Sequence, residues 1–338
     1  MNEFYNKMRY FEETEKKPAK IYYHYSSLDS LYNIVKSKTF RLTSLKSSND
    51  KKELYYKPEN FLSDLIKLCD KEKDTTLKNY FQIINNSINL NTDTFFKECK
   101  QVGFPYALCL SEKKDNLTHW DRYARQCTGV CIAFNSSAID VYLQRMASEC
   151  FGIGLYDIGK ILYTSEQLEN KIRNITLSFV EMIKRSSTIE KEITEILQDS
   201  GYIFAITIYR QTMKFTKDGS FIDEDEVRLL HDSISIKETL HLIDQMKSSI
   251  DSELYKNTKK NFIMLVNQLN IKNEQFYMSN DGIRAYKNFC LEEVWGSGTI
   301  PEIILGPLCS QNKKELRRFL KANGLEGTKI SDSKVPIR

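Results

Sequence analysis

The sequence predicts an α+β fold with a central mixed or antiparallel sheet and long helical insertions. Two observations carry this prediction. Short β-prone runs are scattered along the 338 residues, and the long stretches between them repeat their apolar residues at helical spacing. The order of these elements does not follow the regular alternation that builds a parallel βαβ array, and no internal repeat is visible.

The chain opens with a strand, a helix and a second strand. Residues 1–20 are polar and charged, so we expect a flexible lead-in there. The run Ile21–Tyr25 is β-prone, and apolar residues at helical spacing follow it. Phe40–Ser44 indicates the second strand. Residues 21–338 are expected to form a single domain.

Three helical insertions and several later strands complete the expected fold. The insertions lie near 58–100, 165–215 and 235–275. Strands are expected near 105–110, 129–134, 224–230, 300–306 and 328–330, and a helix at 313–321. The stretch 151–159 is rich in glycine, and no helix or strand is predicted there.

Composition excludes several classes of protein. The net charge of +4 is too small to indicate a nucleic-acid partner by itself. No apolar run is long enough to cross a membrane and no signal segment opens the chain, so we expect a cytoplasmic protein without a membrane partner. The eight cysteines form no C-x-x-C pair and are expected to be reduced thiols, and no glycine-rich phosphate loop is present.

Aromatic and histidine side chains mark the first candidate site. His24 lies within the first strand, where it could orient a ligand or could pack as an ordinary core histidine. Trp120 and Tyr123 are three residues apart, so on a helical turn they would share one face. Such rings suit a planar ligand, but an internal aromatic cluster fits them equally well.

Acidic residues mark the second candidate site. If 224–230 is a strand, Glu224, Glu226 and Arg228 share a face, because side chains alternate across a strand. They could form a working site or a solvated edge with an ion pair. Asn49, Asp50 and Glu53 form a polar patch that fits a turn, although Asp50 and Glu53 could also hold Mg²⁺ together with Glu224 and Glu226.

These segments together resemble the bacterial DUF2971 family of proteins of unknown function. The motifs that carry the resemblance are Tyr23-His24-Tyr25-Ser26, Asn49-Asp50 with Glu53, Ser111-Glu112, Trp120 with Tyr123-Ala124, Gly129–Phe134, Lys214, Glu224–Arg228 and Ile304–Gly306.

The order of His24, Tyr123 and Glu226 is also similar to the His–Tyr–Glu order of ADP-ribosyltransferases. That resemblance implies an ADP-ribosyltransferase-like core and NAD as substrate, with no metal. Glu226 would be catalytic and would stabilise positive charge on the ribose. The residues implied to bind NAD are His24, Tyr25, Ser44, Trp120, Tyr123 and Arg228.

The leading expectation is an NAD-consuming enzyme, a bacterial toxin or defence effector that uses a protein or nucleic acid as acceptor. A non-catalytic module that binds a nucleotide or a partner on the same fold is the first alternative. A metal-dependent nuclease built on the acidic residues is the second.

Overall fold

The structure of the protein, a computed structural model, describes most of the chain. The described residues are 20–47, 57–100, 105–139, 156–186, 190–231, 274–279 and 282–337, together with a few single residues between 244 and 264. Residues 1–19 of the expected lead-in and most of the expected helical insertion at 235–275 lie outside these residues. No helix within the described ranges is long and apolar enough to span a membrane.

The chain divides into two compact units. One comprises Met1–Lys16, Ser48–Pro105 and Ile161–Ile222, and the other comprises Lys17–Ser47, Tyr106–Lys160 and Asp223–Arg338. The described part of the first is helical, and the second holds the sheet. We refer to them as the helical unit and the sheet unit.

The helical unit contains the helices expected near 58–100 and 165–215. They are α2 (Pro58–Lys71), α3 (Thr75–Asn89), α4 (Thr92–Lys100), α6 (Ser165–Ser186) and α7 (Glu190–Met213). Asp74 caps α3 by accepting hydrogen bonds from the backbone N–H groups of Thr76 and Leu77. A core of aromatic and aliphatic side chains, which includes Phe61, Phe81 and Phe204, joins the helices.

The sheet unit contains ten strands in one mixed sheet, which confirms the α+β prediction. The strands are β1 (Ile21–Ser26), β2 (Thr39–Ser44), β3 (Tyr106–Ser111), β4 (Val130–Asn135), β5 (Tyr156–Lys160), β6 (Glu226–His231), β7 (Gln275–Ser279), β8 (Gly282–Cys290), β9 (Glu302–Leu305) and β10 (Lys329–Asp332). The main path runs β10-β9-β4-β1-β3-β2-β8-β7, and β6 joins β3 to β5. The helices with fully described bounds in this unit include α1 (Leu28–Ser37), α5 (Leu117–Tyr123) and α8 (Lys313–Ala322).

Strand β3 pairs with three neighbours. Its residues 106–111 pair along their whole length with β6. Its first two residues pair with β2, and its last residue, Ser111, pairs with Tyr23 of β1. Between these contacts the His24 imidazole lies 3.1 Å from the Cys109 carbonyl oxygen, so a side chain takes the place of a ladder hydrogen bond there.

The two faces of the sheet carry separate apolar clusters. Leu108, Val227 and Leu229 belong to the large core, which α1 and α8 also join. Tyr25, Trp120 and Cys131 belong to a smaller cluster on the other face. Because side chains alternate along a strand, Glu226 and Arg228 project from the face opposite Val227 and Leu229.

Two segments differ from the sequence prediction. Residues 156–160, within the glycine-rich stretch, form β5, because they gain ladder hydrogen bonds to β6 that local composition does not reveal. Glu224 does not lie on the strand that holds Glu226, since it ends the 3₁₀ helix Gly219–Glu224. Asp225 between them has a left-handed backbone, with φ of 44°, and this interrupts the alternation of side chains before β6 begins.

Candidate functional site

Helix α5 positions the aromatic residues of the site. The Asn116 side chain caps it by accepting a hydrogen bond from the backbone N–H of His119. Trp120 is fully buried, whereas the side chain of Tyr123 is 40% exposed. Trp120 is thus an interior ring and Tyr123 a surface ring, although they lie one turn apart on the same short helix.

The buried rings form a rigid base beneath Tyr123. Tyr25 stacks on His119 with ring centroids 5.0 Å apart and meets Trp120 edge-on at 4.9 Å. The Tyr25 hydroxyl donates to the Lys113 carbonyl and accepts from the backbone N–H of Asn116. Trp120 donates its indole N–H to Asp115 at 2.8 Å. The resemblance implies that Tyr25 and Trp120 touch NAD, but in this structure they support the surface layer.

A tyrosine, a carboxylate and a guanidinium meet at the surface of this base. Tyr123 donates its hydroxyl hydrogen bond to Glu224 Oε1. The Arg122 guanidinium lies 3.7 Å from the same oxygen, and its side chain is 52% exposed while that of Glu224 is 7% exposed. We call Arg122, Tyr123, Glu224 and His119 the Tyr123–Glu224 site.

His119 fixes the backbone that carries Glu224. Its Nε2 lies 3.0 Å from the Glu224 carbonyl oxygen, and its Nδ1 lies 2.9 Å from Asn116 Oδ1. The Ser111 hydroxyl donates to the same Glu224 carbonyl at 3.0 Å. Burial lowers the pKa of His119, although the Glu224 carbonyl partly opposes this. Through these two ring contacts His119 serves as a positioning residue for Glu224.

Glu226 and Arg228 form a buried ion pair. Arg228 donates from Nε to Glu226 Oε1 at 2.7 Å and from Nη2 to Oε2 at 3.3 Å. Arg228 is fully buried and Glu226 is 3% exposed. The prediction that they share a strand face is confirmed, but the alternative of a solvated edge is wrong. Both oxygens of the Glu226 carboxylate therefore accept hydrogen bonds from Arg228, and such a bidentate pair is a strong interaction that competes with binding of a ribose hydroxyl.

A strained turn follows α5. Arg125, Gln126 and Cys127 have left-handed backbones, with φ of 46°, 51° and 71°. Non-glycine residues rarely adopt this conformation, and consecutive examples persist only where the surroundings dictate them. The turn is held because Cys127 donates its N–H to the Trp120 carbonyl and Leu308 donates its own to the Cys127 carbonyl.

Two glycines allow the backbone to pack against that turn. A Cβ at Gly129 would lie 2.2 Å from the Ser26 carbonyl oxygen, and one at Gly306 would lie 2.4 Å from the Cys127 carbonyl oxygen. Gly306 also donates its N–H to the Gly129 carbonyl at 2.9 Å. These contacts hold the C-terminal end of α5, and with it Tyr123, against β1, β4 and β9.

His24 and Ser44 lie apart from the Tyr123–Glu224 site. His24 meets Phe40 edge-on at 5.8 Å, which places its ring on the large-core face, opposite to Glu226. Burial lowers its pKa, and the Cys109 carbonyl partly offsets the effect. Ser44 is buried at the end of β2. The structure therefore does not bring His24 together with Tyr123 and Glu226, and His24 behaves as the core histidine that the sequence also allowed.

The acidic residues do not form a metal centre within the described ranges. No group of three or more His, Cys, Asp or Glu side chains there is arranged to hold a metal ion. Asp50 and Glu53, the predicted partners of Glu224 and Glu226 in a magnesium site, lie outside the residues that the structure describes, as does the neighbouring Asn49.

The sequence pattern does not single out His119, although its spacing holds a signal. His119 and Tyr123 are four residues apart, and on α5 their rings lie 5.8 Å apart. Arg122 is equally hidden, because an exposed arginine on a short helix carries no pattern of its own. The role of Glu224 follows from the 3₁₀ helix and the left-handed Asp225, which the strand prediction does not include.

Comparisons with known proteins identify a family and no activity. The sequence pattern of the family described as "Protein of unknown function (DUF2971)" matches residues 119–229. The match begins at His119 and runs past Arg228, so it contains all four residues of the Tyr123–Glu224 site and the Glu226–Arg228 pair. Neither the curated proteins nor the solved structures gave a match. Residues 119–229 of the chain are therefore similar to the DUF2971 family.

Proposed function

We propose that the protein is an NAD-consuming enzyme of the ADP-ribosyltransferase type, with the Tyr123–Glu224 site as its reaction centre. The observation that carries the proposal is the hydrogen bond from the exposed Tyr123 to the shielded carboxylate of Glu224. Three functions that NAD requires are thus close together: a ring for the base, a carboxylate for the ribose and a cation for the pyrophosphate.

The reaction breaks the bond between the nicotinamide nitrogen and the ribose anomeric carbon. Nicotinamide leaves with the bonding electrons, and positive charge develops on the ribose ring. A fixed carboxylate close to that charge lowers the barrier. Water or an acceptor nucleophile then bonds to the anomeric carbon and loses a proton, so that the products are free or transferred ADP-ribose.

Each side chain has a role that follows from its place. Glu224 stabilises the positive charge that develops on the ribose. Tyr123 and the two hydrogen bonds to the Glu224 backbone carbonyl hold the carboxylate in position. The Tyr123 ring, 40% exposed, stacks on nicotinamide. The exposed Arg122 guanidinium contacts the pyrophosphate. The catalytic role first expected for Glu226 moves to Glu224, since Arg228 already occupies both oxygens of Glu226.

The test is release of nicotinamide from NAD by the purified protein, with and without protein and oligonucleotide acceptors. We expect Glu224→Gln to abolish release. Tyr123→Phe keeps the ring but loses the hydroxyl, so it should lower kcat more than it raises KM. Tyr32→Phe, at a tyrosine 54% exposed on α1, is the matched control and should change neither.

A second candidate is a module that binds a nucleotide without turnover. The bidentate lock of Arg228 on Glu226 favours it, because this lock occupies the carboxylate that the resemblance assigned to catalysis. Calorimetry separates the two candidates. NAD binding that depends on Tyr123, without nicotinamide release under any acceptor condition, would replace the enzyme with the module. Absence of both binding and release would overturn both.

The proposed activity also gives a cellular expectation for a toxin or defence effector. Expression of the wild-type protein would lower cellular NAD and slow growth, and expression of Glu224→Gln would not. Equal growth of the two strains at equal protein levels would contradict a toxic role.

A further inference from the structure

A row of five cationic side chains lies along one side of helix α8. Lys313, Lys314, Arg317, Arg318 and Lys321 together line a shallow groove on the surface. All five are exposed. The last 26 residues hold eight cations and three acids, a net charge of +5, against +4 for the whole chain. The small net charge of the protein therefore conceals one local basic surface, which we call the α8 ridge.

Two of the five cations are available for a partner. Lys314 and Arg317 form no ion pair with any residue in the described part of the chain, and they lie three positions apart on one helix face. The other three have exposed partners: Lys313 pairs with Asp332, Arg318 with Glu315, and Lys321 with Glu326. Exposed pairs of this kind are weak because water and salt screen them, so the phosphates of a partner can displace the carboxylates.

The apolar face of α8 is already used. Leu316 and Leu320 are buried in the large core, and Phe319 stacks on Tyr32 with ring centroids 5.3 Å apart. A helix that binds a membrane surface inserts its apolar face between lipids, and α8 has none to offer. Protein interfaces are built around aromatic anchors and are poor in lysine, whereas the α8 ridge consists of lysine and arginine side chains.

The spacing of the cations matches a phosphate backbone. From residue 313 to residue 321 the helix advances about 12 Å. A nucleic-acid strand in a duplex carries one phosphate per about 3.4 Å of axis, so the ridge spans three to four phosphates of one strand. Surfaces that contact nucleic acid are polar and strongly positive, as this one is.

We propose that the α8 ridge binds the phosphate backbone of a nucleic acid, independently of base sequence. Lys314 and Arg317 make the first contacts, and the three paired cations exchange their carboxylates for phosphates. The inference does not depend on NAD or on the Tyr123–Glu224 site, and it holds whether or not that site is catalytic.

The test is fluorescence anisotropy with labelled 20-base-pair DNA, single-stranded DNA and RNA, titrated at 50–200 mM KCl (conditions on the order of those where phosphate contacts respond to salt). The double variant Lys314→Gln/Arg317→Gln should bind duplex on the order of 50-fold more weakly near 0.1 M salt, and its slope of log K against log salt should be shallower by about 2. Lys314→Arg/Arg317→Lys keeps both charges and should restore binding.

The matched control removes two other exposed lysines. Lys73 and Lys97 lie in the helical unit, and Lys73→Gln/Lys97→Gln changes the net charge by the same amount. We expect wild-type binding from this control and an unchanged unfolding midpoint for every variant. The proposal is overturned if Lys314→Gln/Arg317→Gln binds as tightly as wild type or no more weakly than the control. It is also overturned if none of the nucleic acids binds at the lowest salt, or if the protein binds only vesicles that contain phosphatidylglycerol.

Discussion

Substitution of Gly129 by alanine tests the packing that holds α5 against the sheet. The added Cβ would lie 2.2 Å from the Ser26 carbonyl oxygen and 2.9 Å from that of Ala124. Both obstacles are backbone atoms, so neither can move aside by changing a rotamer. Ordinary contact requires at least about 3.4 Å, and β1 would have to separate from Gly129 by about 1.2 Å.

That separation would disturb several hydrogen bonds at once. Ser26 and Val130 are register partners of β1 and β4, and Gly129 itself donates its N–H to the Ala124 carbonyl at 2.8 Å. Overpacking of a rigid site costs roughly 1–3 kcal/mol and occasionally more. With backbone on two sides, we expect Gly129→Ala to lower the free energy of unfolding by about 3 kcal/mol or more.

The assay is urea unfolding followed by circular dichroism, with Gly298→Ala as the matched control. A Cβ added at Gly298 would have no atom within 4 Å, and the backbone there is not left-handed. Alanine at this position should be neutral or should stabilise the protein by about 0.4–1 kcal/mol, because it restricts the unfolded chain. If Gly129→Ala unfolds within about 0.5 kcal/mol of Gly298→Ala, the inferred close approach of β1 is wrong.

Three further predictions concern stability. Glu226→Gln should lower the free energy of unfolding by about 3–5 kcal/mol, because it leaves the fully buried Arg228 without its carboxylate. The control Glu166→Gln, at an exposed helix start, should lower it by less than about 0.5 kcal/mol in the same urea titration. Gln126→Gly should raise the free energy of unfolding by about 0.5–1 kcal/mol, since glycine relieves a left-handed backbone, and Gln126→Ile should lower it; opposite signs would contradict the strain. Burial raises the pKa of Glu302, but Lys114, Ser331 and Lys329 outweigh it and lower that pKa to about 2. The stabilisation from this depressed pKa is complete above the usual value of 4.5 and is lost as pH falls toward 2; Lys114→Gln should therefore reduce the loss of stability between these limits, and an unchanged pH profile would refute the contribution of the ion pair.

Much of the fold could be predicted because its signals are local. The strand Ile21–Tyr25, the helix with its Ser27 cap and the strand ending at Ser44 form as their patterns indicate. The helices of 58–100 also follow their apolar spacing. Strand β5 could not be predicted, because its residues are held by hydrogen bonds to β6, which is some 70 residues away in the chain.

The candidate site could be predicted only in part. Glu226 and Arg228 pair as alternation along a strand requires. The His–Tyr–Glu resemblance groups His24 with Glu226, but the sequence does not tell which face of the sheet receives the His24 ring. The contact between Tyr123 and Glu224 joins residues 101 positions apart and depends on the left-handed Asp225. Sequence periodicity contains no information on a contact over such a distance in the chain or on a left-handed residue of this kind.

The pairing of β2 with β8 has a consequence for folding during synthesis. Thr39 pairs with Cys290 and Thr43 with Tyr286. Strand β2 is therefore synthesised long before its partner β8. A chain still being translated carries the β2 edge unpaired until about residue 290 has left the ribosome, and open strand edges promote aggregation. The helical unit, whose last residue is Ile222, has no such delay. We therefore expect nascent chains arrested before β8 to associate through β2, and arrest after β8 to relieve that association.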